Sequence, residues 1–200
     1  MRVLVACEFS GTVRRVFEAK GCDVLSCDLL EAEDGAKNHY VGDVFDVIND
    51  GFDLMIAHPP CTYLSNSGVR HLYTDRSRWD KMIDGARFFN KLYRYDTIPR
   101  RCIENPIMHK YAKEIIGDTQ TQVIQPWMFG HHEQKATCLW LVGLEPLQPL
   151  TDLREEMKTM DKRITQRLFY ASGKDRWKIR SRTFEGIAKA MADTWTRGYI

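Results

Sequence analysis

The sequence predicts an α/β fold in which helices cover both faces of a mostly parallel sheet. Short apolar segments of strand length alternate with amphipathic segments of helix length, most clearly over the first sixty residues. Strands that alternate with helices in this way are typical of a parallel sheet with two covered faces. Two hundred residues suffice for one such domain with a substantial core. We therefore expect residues 1–200 to form a single domain.

The first half of the chain contains strand and helix signals bounded by glycine, proline or aspartate. The strand signals lie at 2–7, 23–27, from Gly42-Asp43 onward, and 53–57. A helix from Thr12 to Lys20 is predicted after Gly11, and Gly21 closes it. The prolines at 59 and 60 stop the fourth strand, because proline cannot donate a hydrogen bond within a central strand.

The second half adds a long helix, a further strand, a late strand pair and a closing helix. They are predicted at 78–93, 101–104, 122–128 with 136–142 as an antiparallel pair, and 184–197. Apolar residues recur at helical spacing in the long helix, for example Trp79, Met82 and Ala86. Residues 143–182 are the least regular part, and we expect a short basic segment there that serves as an appendage or a flap.

Composition and cysteine spacing exclude several classes of protein. The formal net charge is +2, so attraction to nucleic acid depends on local clusters of cations. The six cysteines include no Cys-x-x-Cys pair, which favours reduced thiols over a zinc ribbon or a disulfide framework. The chain begins without the long apolar core of a signal peptide, and no run has membrane-spanning length. We expect a cytoplasmic protein with no membrane partner and no metal, and we interpret His131-His132 as turn residues.

The most informative segment is the apolar run 54–57, which is followed by His58-Pro59-Pro60-Cys61. Cys61 is predicted to follow the carboxyl end of a buried strand. In open α/β folds ligands bind outside these ends, so a thiol there can reach a substrate. The alternative is a buried structural cysteine, since cysteine is among the most buried residue types.

Polar residues also follow the other predicted strands. They are Glu8-Phe9-Ser10-Gly11, Asp28, Asp43 and Glu104-Asn105. A glycine in the first strand-to-helix turn lets a ligand approach the backbone, and an aspartate after the second strand can bind ribose hydroxyls. The alternative for each aspartate is a helix cap or a turn.

In this order the residues resemble the S-adenosylmethionine-dependent DNA cytosine-5 methyltransferases. Pro59-Pro60-Cys61 matches the nucleophile motif of that family, and Glu104-Asn105 matches the Glu-Asn that ends its fifth strand. Phe9-Ser10-Gly11 is similar to the Phe-x-Gly of the cofactor turn. Gln134–Thr137 stands in the place of the Gln-x-Arg-x-Arg strand, and the helix from Phe184 resembles the one that returns over the cofactor.

The resemblance implies a Rossmann-like class I methyltransferase fold, S-adenosylmethionine as cofactor and DNA as partner. Cys61 is the implied nucleophile at cytosine C6, and Glu104 the implied acid at N3. The implied cofactor-binding residues are Phe9, Ser10, Gly11, Asp28, Asp43 and Pro59. The implied substrate-binding residues near the base are Pro60, Asn105 and Lys135.

This chemistry places demands on both catalytic groups. Addition of a thiolate at C6 makes C5 enamine-like, so Cys61 needs a lowered pKa. Glu104 must be protonated to donate to N3, as in a dry pocket that raises the pKa of a carboxyl group. The cytosine must also leave the base stack.

The chain departs from the family pattern in four places. Val13 and Arg14 replace glycines of the cofactor turn, and Ala136 and Cys138 replace the arginines beside Lys135. The Gly-Asn pair expected before the last helix is absent. A large recognition region is reduced to residues 143–182. Sequence specificity is then slight, supplied by a partner protein, or unnecessary. Compact members of this kind resemble phage or prophage products, which predicts the cytoplasm of a bacterial host.

The stretch 174–182, called the basic stretch below, carries a cation at every second position. These cations are Lys174, Arg176, Lys178, Arg180 and Arg182, with Trp177 among them. In an extended backbone all five project to one side, where they suit a DNA phosphate backbone while the indole stacks on a base. The alternative is a solvated edge, since basic side chains protect exposed strands.

Three other functions remain open. The same pocket can modify a pyrimidine in RNA or in a free nucleotide, which the missing recognition region favours and the basic stretch disfavours. An amino-methyltransferase has an aromatic residue after Pro-Pro, which Cys61 argues against. The third alternative is an inactive protein that keeps the fold and binds nucleic acid.

Overall fold

The computed structural model describes residues 1–199, and within this range the sheet has seven strands. The strands are β1 Arg2–Ala6, β2 Asp23–Asp28, β3 His39–Val41, β4 Leu54–Ala57, β5 Arg100–Pro106, β6 Gln122–Ile124 and β7 Thr137–Val142. Their spatial order is β3-β2-β1-β4-β5-β7-β6. The first five are parallel, and β7 runs antiparallel to both β5 and β6. The predicted parallel sheet with a late antiparallel pair is confirmed.

The helices lie on both faces of the sheet. They are α1 Thr12–Ala19, α2 His71–Thr74, α3 Ser77–Tyr93, α4 Lys110–Ile116, α5 Arg154–Lys158, α6 Lys162–Thr165, α7 Arg167–Tyr170, α8 Arg176–Ser181 and α9 Glu185–Trp195. One buried cluster packs Met55 of β4 with Phe89 of α3. The other packs Ile56 with Phe17 of α1 and Trp195 of α9. Successive strand residues point to opposite faces, so both faces are apolar and both need a covering layer.

Three strand boundaries differ from the prediction. β3 lies at 39–41, ahead of Gly42-Asp43, because its half-exposed edge residues give no apolar signal. β5 continues through Asn105 to Pro106, because β7 pairs along its whole length. β6 ends at Ile124, since Pro126 begins a 3-10 turn.

Residues 143–182, predicted to be irregular, contain the four short helices α5–α8. Each of them spans six residues or fewer. That residues 143–182 serve as an appendage or a flap stays a prediction. In the part of the chain that the structure describes, no helix combines the length and apolarity needed to cross a bilayer.

Candidate active site

The candidate site lies at the carboxyl ends of four neighbouring parallel strands. The register sets Ala6 of β1 beside Cys27 of β2 and Ala57 of β4, and Ala57 beside Ile103 of β5. The next residue on each strand therefore reaches the same edge of the sheet. These residues are Cys7, Asp28, His58 and Glu104.

The turn after β1 is tightly constrained. Cys7 has a φ of 59° and Gly11 a φ of 66°, and a positive φ is uncommon outside glycine. The buried Glu8 accepts hydrogen bonds from the backbone N–H groups of Val13 (2.6 Å) and Arg14 (3.2 Å). The first N–H groups of α1, a common anion site in such turns, are thus held by the chain's own carboxylate. Sequence reasoning gave Glu8 no role.

Arg14, which stands where the family has glycine, stabilises this turn from the outside. Its guanidinium is nearly buried and pairs with Glu18 one helical turn along α1 (3.0 Å) and with Asp34 in the loop after β2. Arg15 pairs with the same Asp34 carboxylate at 2.7 Å. An ion-pair cluster therefore fixes the loop whose shape glycines set in the family pattern.

Asp28 and Asp43 share the edge of the sheet with Cys7. Burial is the largest cause that raises the pKa of the Cys7 thiol, and the charges of both carboxylates raise it further. Burial and the same two charges raise the pKa of Cys27 to about 12. Each aspartate also accepts a backbone N–H bond at 3.0 Å, from Leu30 or Phe45, so the structural alternative holds for both. Asp43 is exposed and Asp28 partly so, which leaves them accessible to the hydroxyls of a ligand.

A small cavity of about 40 Å³ lies between the β1 turn, His58 and Ser181–Thr183. It is far smaller than the roughly 300–1,000 Å³ of ordinary ligand pockets. The basic stretch closes it: Arg182 pairs with Glu33 at 2.7 Å, and the ring centroids of Trp177 and Phe9 are 5.8 Å apart. An aromatic ring and two carboxylates suit an adenosine-containing cofactor, but the basic stretch must move to admit one.

Cys61 lies on the loop after β4 and is exposed. Its carbonyl accepts N–H bonds from Leu64 and Ser65, both at 3.0 Å, which curls the loop into a turn. Pro60 is exposed, whereas Pro59 is buried. Asn105, expected to contact substrate, is 1% exposed and donates from Nδ2 to the Pro59 carbonyl at 3.0 Å. It therefore holds the Pro-Pro-Cys loop against β5, and its contact with substrate stays a prediction.

Glu104 lies on β5 one residue past its pairing with β4, beside a partner that sequence reasoning did not consider. His58 Nδ1 lies 3.0 Å from Glu104 Oε2, and the two side chains are only 7% and 11% exposed. The one signal in the sequence was the position of His58, a titratable residue between an apolar strand and two prolines. The contact itself depends on the register of β4 and β5, which the sequence does not reveal.

The electrostatics differ from the expected state of both catalytic groups. Desolvation and the negative Glu104 raise the pKa of Cys61, while Lys135 and Arg180 pull it down. Desolvation also acts to raise the pKa of Glu104, but the His58 hydrogen bond and the Lys135 charge outweigh it, so this pKa is lowered. The expected thiolate and the expected neutral carboxyl are therefore not the resting forms. The Glu104 and Lys135 charges nevertheless both act on the Cys61 thiol, and the Lys135 charge also acts on Glu104.

The extended comb of cations predicted for the basic stretch is wrong. Residues 176–181 form helix α8, in which successive residues turn by about 100°, so alternate side chains do not share one side. Lys174 and Arg176 are exposed, and Lys178 is partly so. Lys135 Nζ donates to the Arg180 carbonyl at 2.9 Å, which ties α8 to the site.

The two adjacent histidines have separate structural partners. His131 Nε2 accepts the backbone N–H of Gly186 at 2.9 Å, near the start of α9. His132 Nε2 lies 2.9 Å from Glu156 Oε2 at the surface. Over residues 1–199 no three His, Cys, Asp or Glu side chains are grouped to hold a metal ion.

Comparison with known proteins gives structural neighbours only. No family model matches the chain, and no curated protein matches it. EhMeth, a methyltransferase of Entamoeba histolytica, is similar with a TM-score of 0.50 and 16% identity over 76% of this chain and 57% of that one. A candidate DNA modification methyltransferase from an E. coli prophage gives 0.49 and 16%, over 76% and 52%. A mutant of Spodoptera frugiperda DNMT2 gives 0.43 and 14%, over 70% and 49%.

The chain spans about half the length of these structures, between 49% and 57%. At 16% identity the likeness to EhMeth establishes the fold alone. That fold agrees with the sheet order and with the late antiparallel strand described above. The chain therefore has the Rossmann-like α/β fold of methyltransferases.

Proposed function

We propose that this protein transfers a methyl group to C5 of cytosine in DNA, through a covalent bond between Cys61 Sγ and cytosine C6. One observation supports the proposal: Cys61, in the loop after β4, and the buried Glu104, on β5 one residue past its pairing with β4, follow neighbouring parallel strands at one edge of the sheet. The Glu104 charge raises the pKa of Cys61, and the Lys135 charge lowers the pKa of both groups. A nucleophile and an acid in this arrangement suit addition to a pyrimidine ring.

The residues divide the reaction between them. The Cys61 thiol loses its proton to water and the thiolate bonds to C6. Glu104, once protonated, donates its proton to N3, where the displaced electron pair collects. Bound S-adenosylmethionine supplies the methyl group as the electrophile that C5 attacks. The C5 proton then leaves to water, the C6–S bond breaks, and the thiolate is restored. The flipped or single-stranded cytosine that this geometry needs would lie over Pro60 beside Lys135.

The carboxyl ends of β1 and β2 would hold the cofactor. Phe9 would pack on its adenine, and Asp28 and Asp43 would bind its hydroxyls. Ser10, Gly11 and Pro59 would shape the cleft around them. The fit is supported by the exposed carboxylates and opposed by the present size of the cavity, about 40 Å³. Cofactor binding would therefore depend on how readily the basic stretch moves.

Replacing Arg182 tests this dependence. Arg182→Ala removes the ion pair with Glu33 that holds the basic stretch closed. An exposed ion pair contributes up to about 1 kcal/mol. Without it less free energy is needed to open the basic stretch, so S-adenosylmethionine should bind about two- to five-fold more tightly. Calorimetric titration without DNA measures this, with the exposed Arg163→Ala on α6 as control. Weaker binding would instead mean that Arg182 contacts the cofactor.

DNA is the proposed substrate because cations and aromatic rings surround the site. Lys174 and Arg176 are exposed on the basic stretch, and Trp177, 51% exposed, offers a stacking surface beside them. Such a surface suits phosphates with an unpaired base.

The decisive experiment supplies tritiated S-adenosylmethionine with duplex DNA, single-stranded DNA, RNA or deoxycytidine monophosphate. We expect labelled 5-methyldeoxycytidine from DNA. Label confined to RNA or to the free nucleotide would move the activity to the alternative substrates. Label at the 4-amino group would exclude the covalent route. No labelled product, together with no affinity for S-adenosylmethionine, would leave only a nucleic-acid-binding protein.

DNA that contains 5-fluorocytosine should trap the covalent intermediate. After methyl transfer C5 carries fluorine in place of a removable proton, so elimination stops and the C6–S bond persists. Mass spectrometry should locate the adduct on the peptide that contains Cys61. Cys61→Ala is the control and should give none. An active preparation that forms no adduct would contradict attack at C6.

A further inference from the structure

We propose that His58 holds Glu104 in place and supplies the proton that Glu104 passes to N3. The inference rests on the proposed function and deepens it. His58 acts through another residue and is therefore a positioning residue rather than a catalytic one. Its ring stands between the cleft proposed for the cofactor and the pocket proposed for the base.

Two hydrogen bonds and a cavity define the surroundings of His58. The His58 backbone N–H donates to the Ala6 carbonyl at 2.9 Å, which places the residue one step beyond the paired part of β4. Its Nδ1 lies 3.0 Å from Glu104 Oε2. The ring also lines the cavity of about 40 Å³ beside Phe9 and Ser10, which has room for water.

The far nitrogen of the ring is unusual. Nε2 is buried and has no hydrogen-bond partner among residues 1–199, although buried polar atoms are nearly always paired. A histidine with only a structural role would be expected to use both nitrogens. His58 lines the small cavity that the basic stretch closes, so opening of that stretch would let water exchange protons with the ring.

Glu104 needs such a supply because its own proton is not retained. The His58 hydrogen bond and the Lys135 charge lower the pKa of this buried carboxyl group in spite of desolvation. The resting group is therefore a carboxylate, which can accept from the cytosine 4-amino group but cannot donate to N3. The nearest titratable group in hydrogen-bond contact is His58.

The proton transfer balances without any further reactant. In the proposed reactive state both ring nitrogens of His58 carry a proton, and Glu104 is a carboxylate. The Cys61 thiol first loses its proton to water. As the resulting thiolate bonds to C6, the Nδ1–H bond breaks, the proton moves to the carboxylate, and the carboxyl group so formed donates it to N3. His58 ends as a neutral imidazole, and the negative charge on the ring is neutralised. When C5 loses its proton to water and the C6–S bond breaks, the N3 proton returns by the same route.

Several charges face this pair and enter its pH dependence. Asp28 interacts with His58 from the end of β2. Glu8 and Arg182 line the same cavity as His58. Lys135, two residues before β7, lowers the pKa of Glu104 by its charge. These groups are common to the wild type and its His58 variants, so differences between them report on the imidazole.

Two substitutions separate holding from supplying. His58→Asn keeps an N–H donor near the position of Nδ1 but has no proton that it can release. His58→Ala removes both the donor and the releasable proton. We expect each to slow single-turnover methyl transfer about 10–100-fold, within the range of supporting residues around a reactive group. The matched control is His132→Asn, which breaks a surface pair of the same kind with Glu156.

The pH profile gives a readout that a structural role would not move. The acid must be protonated, so the rate falls as pH rises through its pKa. Histidine releases its proton closer to neutral pH than a carboxyl group does. In His58→Asn this alkaline fall should therefore move to lower pH by about one to two units. In the free wild-type protein the Nδ1 proton should give a slowly exchanging NMR resonance that Glu104→Ala abolishes.

The outcomes separate this inference from the function on which it rests. An active wild type with a slow, acid-shifted Asn variant supports proton supply by His58. An active wild type whose Asn variant matches it in rate and pH profile overturns the inference and leaves the methyl transfer intact. A wild type that methylates no nucleic acid overturns both.

Discussion

Cys61→Ala abolishes methyl transfer, with a loss on the order of 10⁴-fold or more, as removal of a covalent nucleophile does elsewhere. Without the thiolate nothing adds to C6, and C5 stays part of an aromatic ring too electron-poor to take a methyl group. The variant should fold normally because the side chain is exposed on a loop. Single-turnover assays with tritiated S-adenosylmethionine and DNA measure the loss.

Cofactor binding should survive this substitution. The cavity proposed for the cofactor is lined by Cys7, Phe9 and Ser10 among others, and not by Cys61. Calorimetric titration should therefore give an unchanged dissociation constant for S-adenosylmethionine. The matched control is Cys22→Ala, a cysteine buried with the opposite core cluster, which should keep its rate. A Cys61→Ala protein that methylates DNA near the wild-type rate would remove the thiol from the mechanism.

The central strands could be predicted because strands that are buried on both faces consist mostly of apolar residues. β4 is apolar throughout and β1 is apolar after Arg2, as strands covered on both faces must be. Helix α3 shows its buried stripe directly. β3 could not be placed because it is a three-residue edge strand with half-exposed side chains. Its position follows from pairing with β2, which is a tertiary property.

The site could be predicted as a set of residues but not as a set of contacts. Because parallel strands end at one edge of the sheet, the residues after β1, β2, β4 and β5 had to be neighbours. Hydrogen bonds across strands depend on register, so neither the His58–Glu104 pair nor the hold of Asn105 on Pro59 was foreseen. The ionisation of Glu104 was wrong for the same reason.

The basic stretch shows where local pattern misleads. Alternating cations suit an extended backbone, yet residues 176–181 are helical. Six residues are too few for an isolated helix to be stable in water, so tertiary contacts hold α8. The Trp177 ring against Phe9 and the Lys135 bond to the Arg180 carbonyl supply them. A segment expected to face DNA alone thus also closes the cleft behind it.

The second large effect is expected from Glu104→Gln, which should slow methyl transfer by about 10²–10⁴-fold, the range for loss of a general acid. The amide keeps the size of the carboxyl group and an oxygen that can accept from His58 Nδ1. It cannot pass a proton to N3, so the charge driven into the ring stays there. Single-turnover rates measure the loss, and the exposed Glu114→Gln on α4 is the control.

The same substitution has a signature in stability that does not depend on substrate. The folded protein lowers the pKa of Glu104, so this carboxylate stabilises the fold above its unfolded pKa, and the contribution is lost as pH falls through the folded value. The free energy of unfolding should therefore fall less on acidification in Glu104→Gln than in the wild type. Denaturant titrations between neutral and acidic pH measure this difference. An equal fall of the free energy of unfolding in both proteins on acidification would contradict the ionised resting state of Glu104. An unchanged methylation rate in Glu104→Gln would remove Glu104 from the proton transfer.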